Sequence, residues 1–253
     1  MPTLVEDMQL KKKSTIIGKH PIVDSIQTGT NFDKIFLQQG TRGEFEKELR
    51  HLTKKYNIPV QVVPKEKLNR MTSGNHQGVI GLISLISYYK LEDLLPMIYE
   101  KSEIPLILIL DGITDIRNIG AIARSAEISG AHAIVIPKKG SAQINDEAIK
   151  SSAGALTRRP ICREQSLDGA LDMLEMSGIT VFASNLGAKK MVFETDFTEP
   201  TAIVMGSEGK GINRELLRRI ENQFIIPQIG TTDSFNVSVA TGIILYEVMR
   251  QRG

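Results

Sequence analysis

Leu106–Leu110 is apolar at every one of its five positions. A strand with one wet face alternates apolar and polar residues, so an unbroken run needs cover on both faces. Asn118 stands where a cap for the next helix is expected. Ile119, Ile122, Ala123 and Ala126 follow it at i, i+3, i+4 and i+7. The alternation continues. Further strands are expected at Ala133–Ile136, Ile179–Ala183, Ala202–Met205 and Gln223–Ile226. Helices are expected over Asn145–Lys150, behind a Ser166 cap, over Asn213–Arg219 and from Asn236 to Arg250, with a short segment at Arg159–Cys162. Alternating strands and helices with two-sided apolar strands imply an α/β fold, a parallel sheet covered by helices.

The first 90 residues follow a different pattern. Helices are expected over His20–Thr28, over the charged Glu44–Lys55 and after Pro64. Strands are expected at Lys34–Leu37, Pro59–Val63 and Val79–Ser87. The organisation this implies is a small α/β unit at 1–90, a linker at 91–103 and a parallel-sheet domain at 104–253. Charge divides the same way. Residues 1–90 hold 14 Lys and Arg against 8 Asp and Glu, and residues 91–253 hold 17 against 21. A basic first third on a mildly acidic body fits a polyanion-facing module, and equally fits ordinary surface variation. Lys11–Lys13 fits a solvated tail better than a binding patch.

No apolar run approaches the roughly 20 residues of a membrane helix, and the acidic N-terminus has no apolar signal segment. The single cysteine, Cys162, allows no internal disulfide, fits a packed core thiol, and points to an intracellular, cytoplasmic chain. His20, His51, His76 and His132 are scattered as structural or surface residues, and no metal cluster is visible.

The glycines argue against a dinucleotide fold. After the first parallel strand they stand eight apart, at Gly112 and Gly120, without the G-x-G-x-x-G fingerprint, and no P-loop is present. The glycine-rich turn comes late, Gly206-Ser207-Glu208-Gly209-Lys210-Gly211, and it contains an acid. That suits a ligand with donors or positive charge better than a phosphate. A second cluster runs from Ile225 through Gly230 to Ser234-Phe235-Asn236-Val237-Ser238-Val239-Ala240. Two such loops at strand ends can face one crevice. Either Ser234 or Asn236 is placed to cap the last helix.

Three segments together resemble a known family. They are Asn118-Ile119-Gly120-Ala121-Ile122-Ala123-Arg124-Ser125-Ala126, Met205–Gly211, and Ile226-Pro227 through Ser234-Phe235-Asn236-Val237-Ser238-Val239-Ala240. They are similar to the signature motifs of the SpoU, or TrmH-like, branch of the SPOUT RNA ribose 2′-O-methyltransferases. The first 90 residues, with Ile17-Gly18-Lys19-His20 and Asn75-His76-Gln77-Gly78, resemble the substrate-binding domain of the ribosomal-RNA guanosine 2′-O-methyltransferase type, which is akin to kink-turn-binding ribosomal proteins. The sequence departs from the family's pattern at Ile116, where proline is usual, and at Phe235, where leucine is usual.

The resemblance implies a deep trefoil knot in the C-terminal sheet, a homodimer, bound S-adenosylmethionine, and methyl transfer to a ribose 2′-hydroxyl with no metal. It implies 23S ribosomal RNA as substrate. Transfer RNA, or a non-catalytic RNA-binding scaffold, are the alternatives. By the same resemblance Arg124, Asn118, Glu208, Ser234 and Asn236 form the catalytic set. Ser184, Asn185, Leu186, Met205, Gly206, Glu208, Gly209, Gly211, Ile226, Pro227, Ile229, Ser234, Asn236 and Val237 would hold the cofactor. Arg124 is assigned in the family to the reacting hydroxyl as a base. A guanidinium, the most basic of the side chains, is better suited to clamping phosphate and developing alkoxide.

Overall fold

The computed structural model describes residues 15–142 and 144–253. Lys11–Lys13 lies outside them. The described residues form two compact units, divided between Ile86 and Ser87.

The first unit is a mixed sheet of four strands in the order β1-β4-β2-β3. They are β1 (Thr15–Ile17), β2 (Phe32–Gln38), β3 (Val60–Val63) and β4 (Val79–Ile83). β4 ends at Ile83, short of the Ser87 expected for it. The helices are α1 (Lys19–Gln27), α2 (Glu44–Lys55) and α3 (Lys65–Met71). The two-residue period of β2 divides the core. Ile35 and Leu37 pack with Ile22, Ile26, Leu49 and Leu52 of α1 and α2. Phe36 turns the other way and packs with Val63, Leu68 and Ile80.

The second unit is an eight-stranded sheet in the order β10-β12-β9-β11-β6-β7-β8-β5. Its strands are β5 (Tyr88–Tyr89), β6 (Leu106–Asp111), β7 (Ala133–Pro137), β8 (Ile161–Glu164), β9 (Thr180–Ser184), β10 (Lys190–Met191), β11 (Thr201–Gly206) and β12 (Asn222–Ile225). All adjacent pairs are parallel, as the unbroken apolar runs required. The helices are α4 (Leu91–Glu100), α5 (Ile116–Ile128), α6 (Asp146–Ser151), α7 (Ala155–Arg158), α8 (Leu167–Met176), α9 (Arg214–Arg219) and α10 (Val237–Arg252). Ile107 and Ile109 of β6 face a core built with α4, α8 and α9. Leu106, Leu108 and Leu110 point away from it and are equally buried. Cys162 lies in that first core. Burial, reinforced by the Glu164 and Asp93 carboxylates, pushes its thiol pKa up to about 12, so it is inert as a nucleophile.

Two expectations need correction. The segment 91–103 is not a linker: it carries helix α4, whose Leu91, Leu94, Leu95 and Ile98 are buried in the core of the second unit. Asn118 does not cap α5. Asp115 does, accepting from the Arg117 backbone N–H at 2.7 Å, and Asn118 lies inside the helix on its buried face. Ile116 is therefore the first helical residue, a position that accepts proline as readily as isoleucine, which accounts for that departure from the family pattern.

The edge strand β5 gives a stability prediction. Tyr88 pairs with Ile161, and its ring lies 3.8 Å from the buried guanidinium of Arg163. A chain beginning at Leu91 loses both the pairing and the ring. It should be less stable than one beginning at Ser87 by on the order of 2 kcal/mol, the scale of a desolvated cation–π contact. Denaturant melts of the two fragments check this.

Candidate active site

The C-terminal ends of β9, β11 and β12, neighbours in the sheet, open into one cleft of about 220 Å³. Ser184, Asn185 and Leu186 line it from β9. Met205 and Gly206 line it from β11, and Ser207, Glu208, Gly209 and Gly211 from the loop that follows. Ile225, Ile226 and Gln228 come from β12 and beyond, and Asp233, Ser234 and Phe235 from the next loop. Val237 and Ala240 of α10 complete the wall. Ligands of open parallel sheets bind at this end of the strands.

The glycine loop is folded by its own backbone. Ser207 and Gly211 exchange N–H···O bonds of 3.1 and 2.8 Å, and Gly209 and Gly211 both have positive φ. Gly206 has no room for a side chain: a Cβ there would lie 2.2 Å from the backbone of Gly211 and Ile212. Asp111, at the end of β6, accepts the Asn213 N–H at 2.6 Å, while the Asn213 side chain caps α9. The far end of the loop is thus tied to the sheet. Gly120 in the first motif has a packing role, since a Cβ would sit 1.8 Å from Ser151 Oγ on α6.

One residue from each motif meets the other two. Asn236 caps α10, its Oδ1 accepting from the N–H of Ser238 at 2.9 Å and of Val239 at 3.4 Å. That fixes its Nδ2 as a donor. Nδ2 gives one hydrogen bond to Asn118 Oδ1 at 3.0 Å and one to Glu208 Oε1. Asn118 Nδ2 donates to the same Glu208 oxygen at 3.3 Å. Glu208 Oε2 has no partner among the described residues and is the carboxylate edge left for a ligand. Asn185 is fixed in the same manner. Gln223 donates its amide to the carbonyls of Leu217 and Ile220, so its Oε1 accepts from Asn185 Nδ2 at 2.9 Å. The Asn185 oxygen is the end left over.

Not every residue expected at the site is there. Pro227 and Asn236 are not in the cleft wall, and Ile229 is fully solvent-exposed beyond it. Ser234 lines the cleft. Arg124 lies on the exposed side of α5, outside the cleft and the Asn118–Glu208–Asn236 triangle, without a hydrogen bond or ion pair among the described residues. Ser207, Ile225, Gln228, Phe235 and Ala240 line the cleft within the two loop clusters expected to face one crevice, though none is among the residues singled out there; Asp233 as a lining residue and Asp111 as a tie were missed. Phe235 and Asp233 flank Ser234 in the third motif, so their position was the available signal.

Residues 105–246 match the SpoU rRNA methylase family, and residues 15–89 match the RNA 2′-O ribose methyltransferase substrate-binding domain. The chain belongs to the SpoU family. It is an RNA ribose 2′-O-methyltransferase. It is 35% identical over 237 residues to YacO of Bacillus subtilis, assigned to the TrmH family of tRNA/rRNA methyltransferases, covering 94% of this chain and 95% of that one. The fold is similar to that of an AdoMet-bound rRNA methyltransferase from Sinorhizobium meliloti, with TM-score 0.61, 24% identity and coverage of 99% and 97%. A TrmH/SpoU tRNA-modifying enzyme from A. aeolicus is similar at TM-score 0.53 and 30% identity, covering 63% of this chain and 83% of that one.

The Asn236 cap is separable from any chemistry. Asn236→Ala removes the acceptor of the Ser238 and Val239 backbone N–H groups and should cost about 1 kcal/mol of stability. Asn236→Ser restores a cap without the amide donor to Glu208. It should recover most of the stability and none of the lost activity. Thermal melts beside methylation rates check both.

Proposed function

We propose that this chain transfers a methyl group from S-adenosylmethionine to a ribose 2′-hydroxyl of ribosomal RNA, 23S by the family type it resembles. The observation that carries it is the meeting of Asn118, Glu208 and Asn236 beside a cleft walled by two of the same three motifs.

The lining fits S-adenosylmethionine. Met205, Ile225, Ile226 and Val237 offer an apolar wall for a purine. The backbone at Gly206 approaches without a side chain, and the Asn185 oxygen is an acceptor for an exocyclic amine. The Glu208 and Asp233 carboxylates match a cationic ligand. Ser184, Leu186, Gly209, Gly211 and Ser234 complete the contact set. Bound there, the cofactor supplies an already electrophilic methyl group. The protein's task is then to orient the ribose and stabilise the charge that develops on its oxygen. Asn118 and Asn236 hold Glu208 in place. Ser234, with a hydroxyl that no protein group engages among the described residues, is placed to contact ribose or cofactor. Arg124 acts as a fixed cation toward phosphate and alkoxide.

Ribosomal RNA is favoured over transfer RNA by the basic first unit and its match to a substrate-binding domain. We also infer a knotted second unit and a homodimer acting in the cytoplasm. Support for the dimer is the apolar exposure along α10, where Val239, Tyr246 and Met249 are 50%, 64% and 38% exposed. Among the described residues no helix is long and apolar enough to cross a membrane.

The test is to map ribose methylation in ribosomal and transfer RNA from a strain lacking the gene, and to restore the missing mark with purified protein. A mark lost only from transfer RNA would overturn the ribosomal assignment. A chain that fails to bind S-adenosylmethionine by calorimetry would be a scaffold.

A further inference from the structure

The first unit holds a second cleft, of about 600 Å³, lined by Gln38, by Lys65 and Asn69 of α3, and by the Thr72–Gly78 turn. Its chemistry follows from how the turn is pinned. The Gly78 N–H donates to His76 Nδ1 at 2.9 Å, so that nitrogen carries no proton. The buried ring therefore carries its proton on Nε2, which donates to Asn69 Oδ1 at 2.9 Å. Gln77 Oε1 accepts the Lys19 backbone N–H at 3.0 Å, and Asn75 Oδ1 accepts the Gln77 N–H at 3.3 Å. In all three amides the oxygen is occupied by the chain itself. The orientation is dictated by the donors and leaves no choice of flip.

The consequence is an array of donors. The NH₂ groups of Asn69, Asn75 and Gln77 have no protein partner among the described residues, and neither does the Lys65 ammonium. Among the described residues no acid lines the cleft. Gln77 holds its place at φ 50°, an uncommon conformation for a side-chain-bearing residue, followed by Gly78 at φ 82°. His76 and Gly78 are buried, which leaves Asn75 and Gln77 exposed on the same turn.

We propose that this cleft is a nucleotide-reading subsite, in which the Asn69, Asn75 and Gln77 amides donate to the acceptor edge of an unpaired base while Lys65 meets its phosphate. It rests on the reading of RNA as substrate. Amide donors meet phosphate oxygens as well as base edges, but three of them fixed beside a single cation give an array that can read the carbonyl oxygens and ring nitrogens of a base. Guanine, with O6 and N7 adjacent, matches paired donors best.

Isosteric variants test it, because Gln77→Glu and Asn75→Asp keep the oxygen that holds the backbone and replace the outward NH₂ by an anion. The full-length chain is titrated with fluorescein-labelled single-stranded RNA of each base at fixed salt. Gln61→Glu, an exposed position on β3 outside the cleft, controls for added charge. Gln77→Glu and Asn75→Asp should weaken RNA binding by about tenfold or more, since each loses a donor and sets an anion against the acceptors it would have met. Gln61→Glu should change it by less than about twofold, and melting temperature and S-adenosylmethionine affinity should not move. Lys65→Ala, whose ammonium has no hydrogen bond or ion pair to lose among the described residues, keeps the test open if the turn variants misfold, and should also weaken binding. Equal loss in Gln61→Glu, or unchanged binding in the cleft variants, overturns the subsite. Wild-type protein that binds RNA through the cleft yet methylates none would sink the proposed function and leave the subsite standing.

Discussion

Gly206→Ala should empty the cofactor cleft. The added Cβ would stand 2.2 Å from the Gly211 carbon and the Ile212 nitrogen, both main-chain atoms that no rotamer change can move. Either the loop opens, losing the paired Ser207–Gly211 hydrogen bonds, or the end of β11 shifts out of register with Asp111 of β6. Both outcomes displace Glu208 from Asn118 and Asn236. S-adenosylmethionine affinity should fall at least about tenfold, equal to 1.4 kcal/mol, and methylation with it. Gly209→Ala is the contrast. Its Cβ meets nothing within 4 Å, so its cost is limited to the positive φ of 77°. It should lose roughly 1 kcal/mol of loop stability and keep measurable binding. Calorimetry on the two variants, with melts to confirm folding, separates a close-approach glycine from a merely left-handed one. Equal affinity in Gly206→Ala and the parent would place the cofactor elsewhere.

The contrast also marks what a sequence can reveal. Periodicity was enough for the parallel sheet, because two-sided burial leaves no other pattern for Leu106–Leu110. It was enough for α2, where the charged face and the apolar Leu49 and Leu52 bound the helix. It showed an amphipathic segment over 88–103 but not which unit that segment joins, since a helix with Pro96 inside it and polar flanks has the composition of a connector. Pro96 is tolerated in the chain's own α4 because tertiary packing of Leu91, Leu94, Leu95 and Ile98 outweighs its lost hydrogen bond. The six-residue glycine loop was visible as a loop, but not which glycine faces backbone. Its sequence neighbours are equivalent until the chain folds back on itself. Asn118 misled for a related reason. Asparagine favours helix caps, and Asp115 three residues earlier is as good a cap. Only the Glu208 and Asn236 contacts, 90 and 118 positions away, explain an amide on the buried face of α5.

Arg124→Lys should be nearly as damaging as Arg124→Ala. The side chain is exposed on α5 and makes no hydrogen bond or ion pair among the described residues, so its removal should leave the fold and cofactor affinity intact. If the guanidinium works as a planar fork on phosphate and developing alkoxide, lysine supplies charge without the geometry. The rate of methylation should drop about 10²–10³-fold in both variants, the usual cost of a missing positioned donor. Lys retaining full activity would reduce the requirement to charge alone. The location sharpens the test. An arginine outside the cleft of its own chain must reach its target through the RNA or across a dimer to the partner's cleft. Mixing Arg124→Ala chains with Gly206→Ala chains distinguishes the two. A shared site predicts that heterodimers regain one working centre, made from the intact cleft of one chain and the intact Arg124 of the other. A site contained within one chain predicts no recovery, because every chain in the mixture then lacks either its cleft or its arginine.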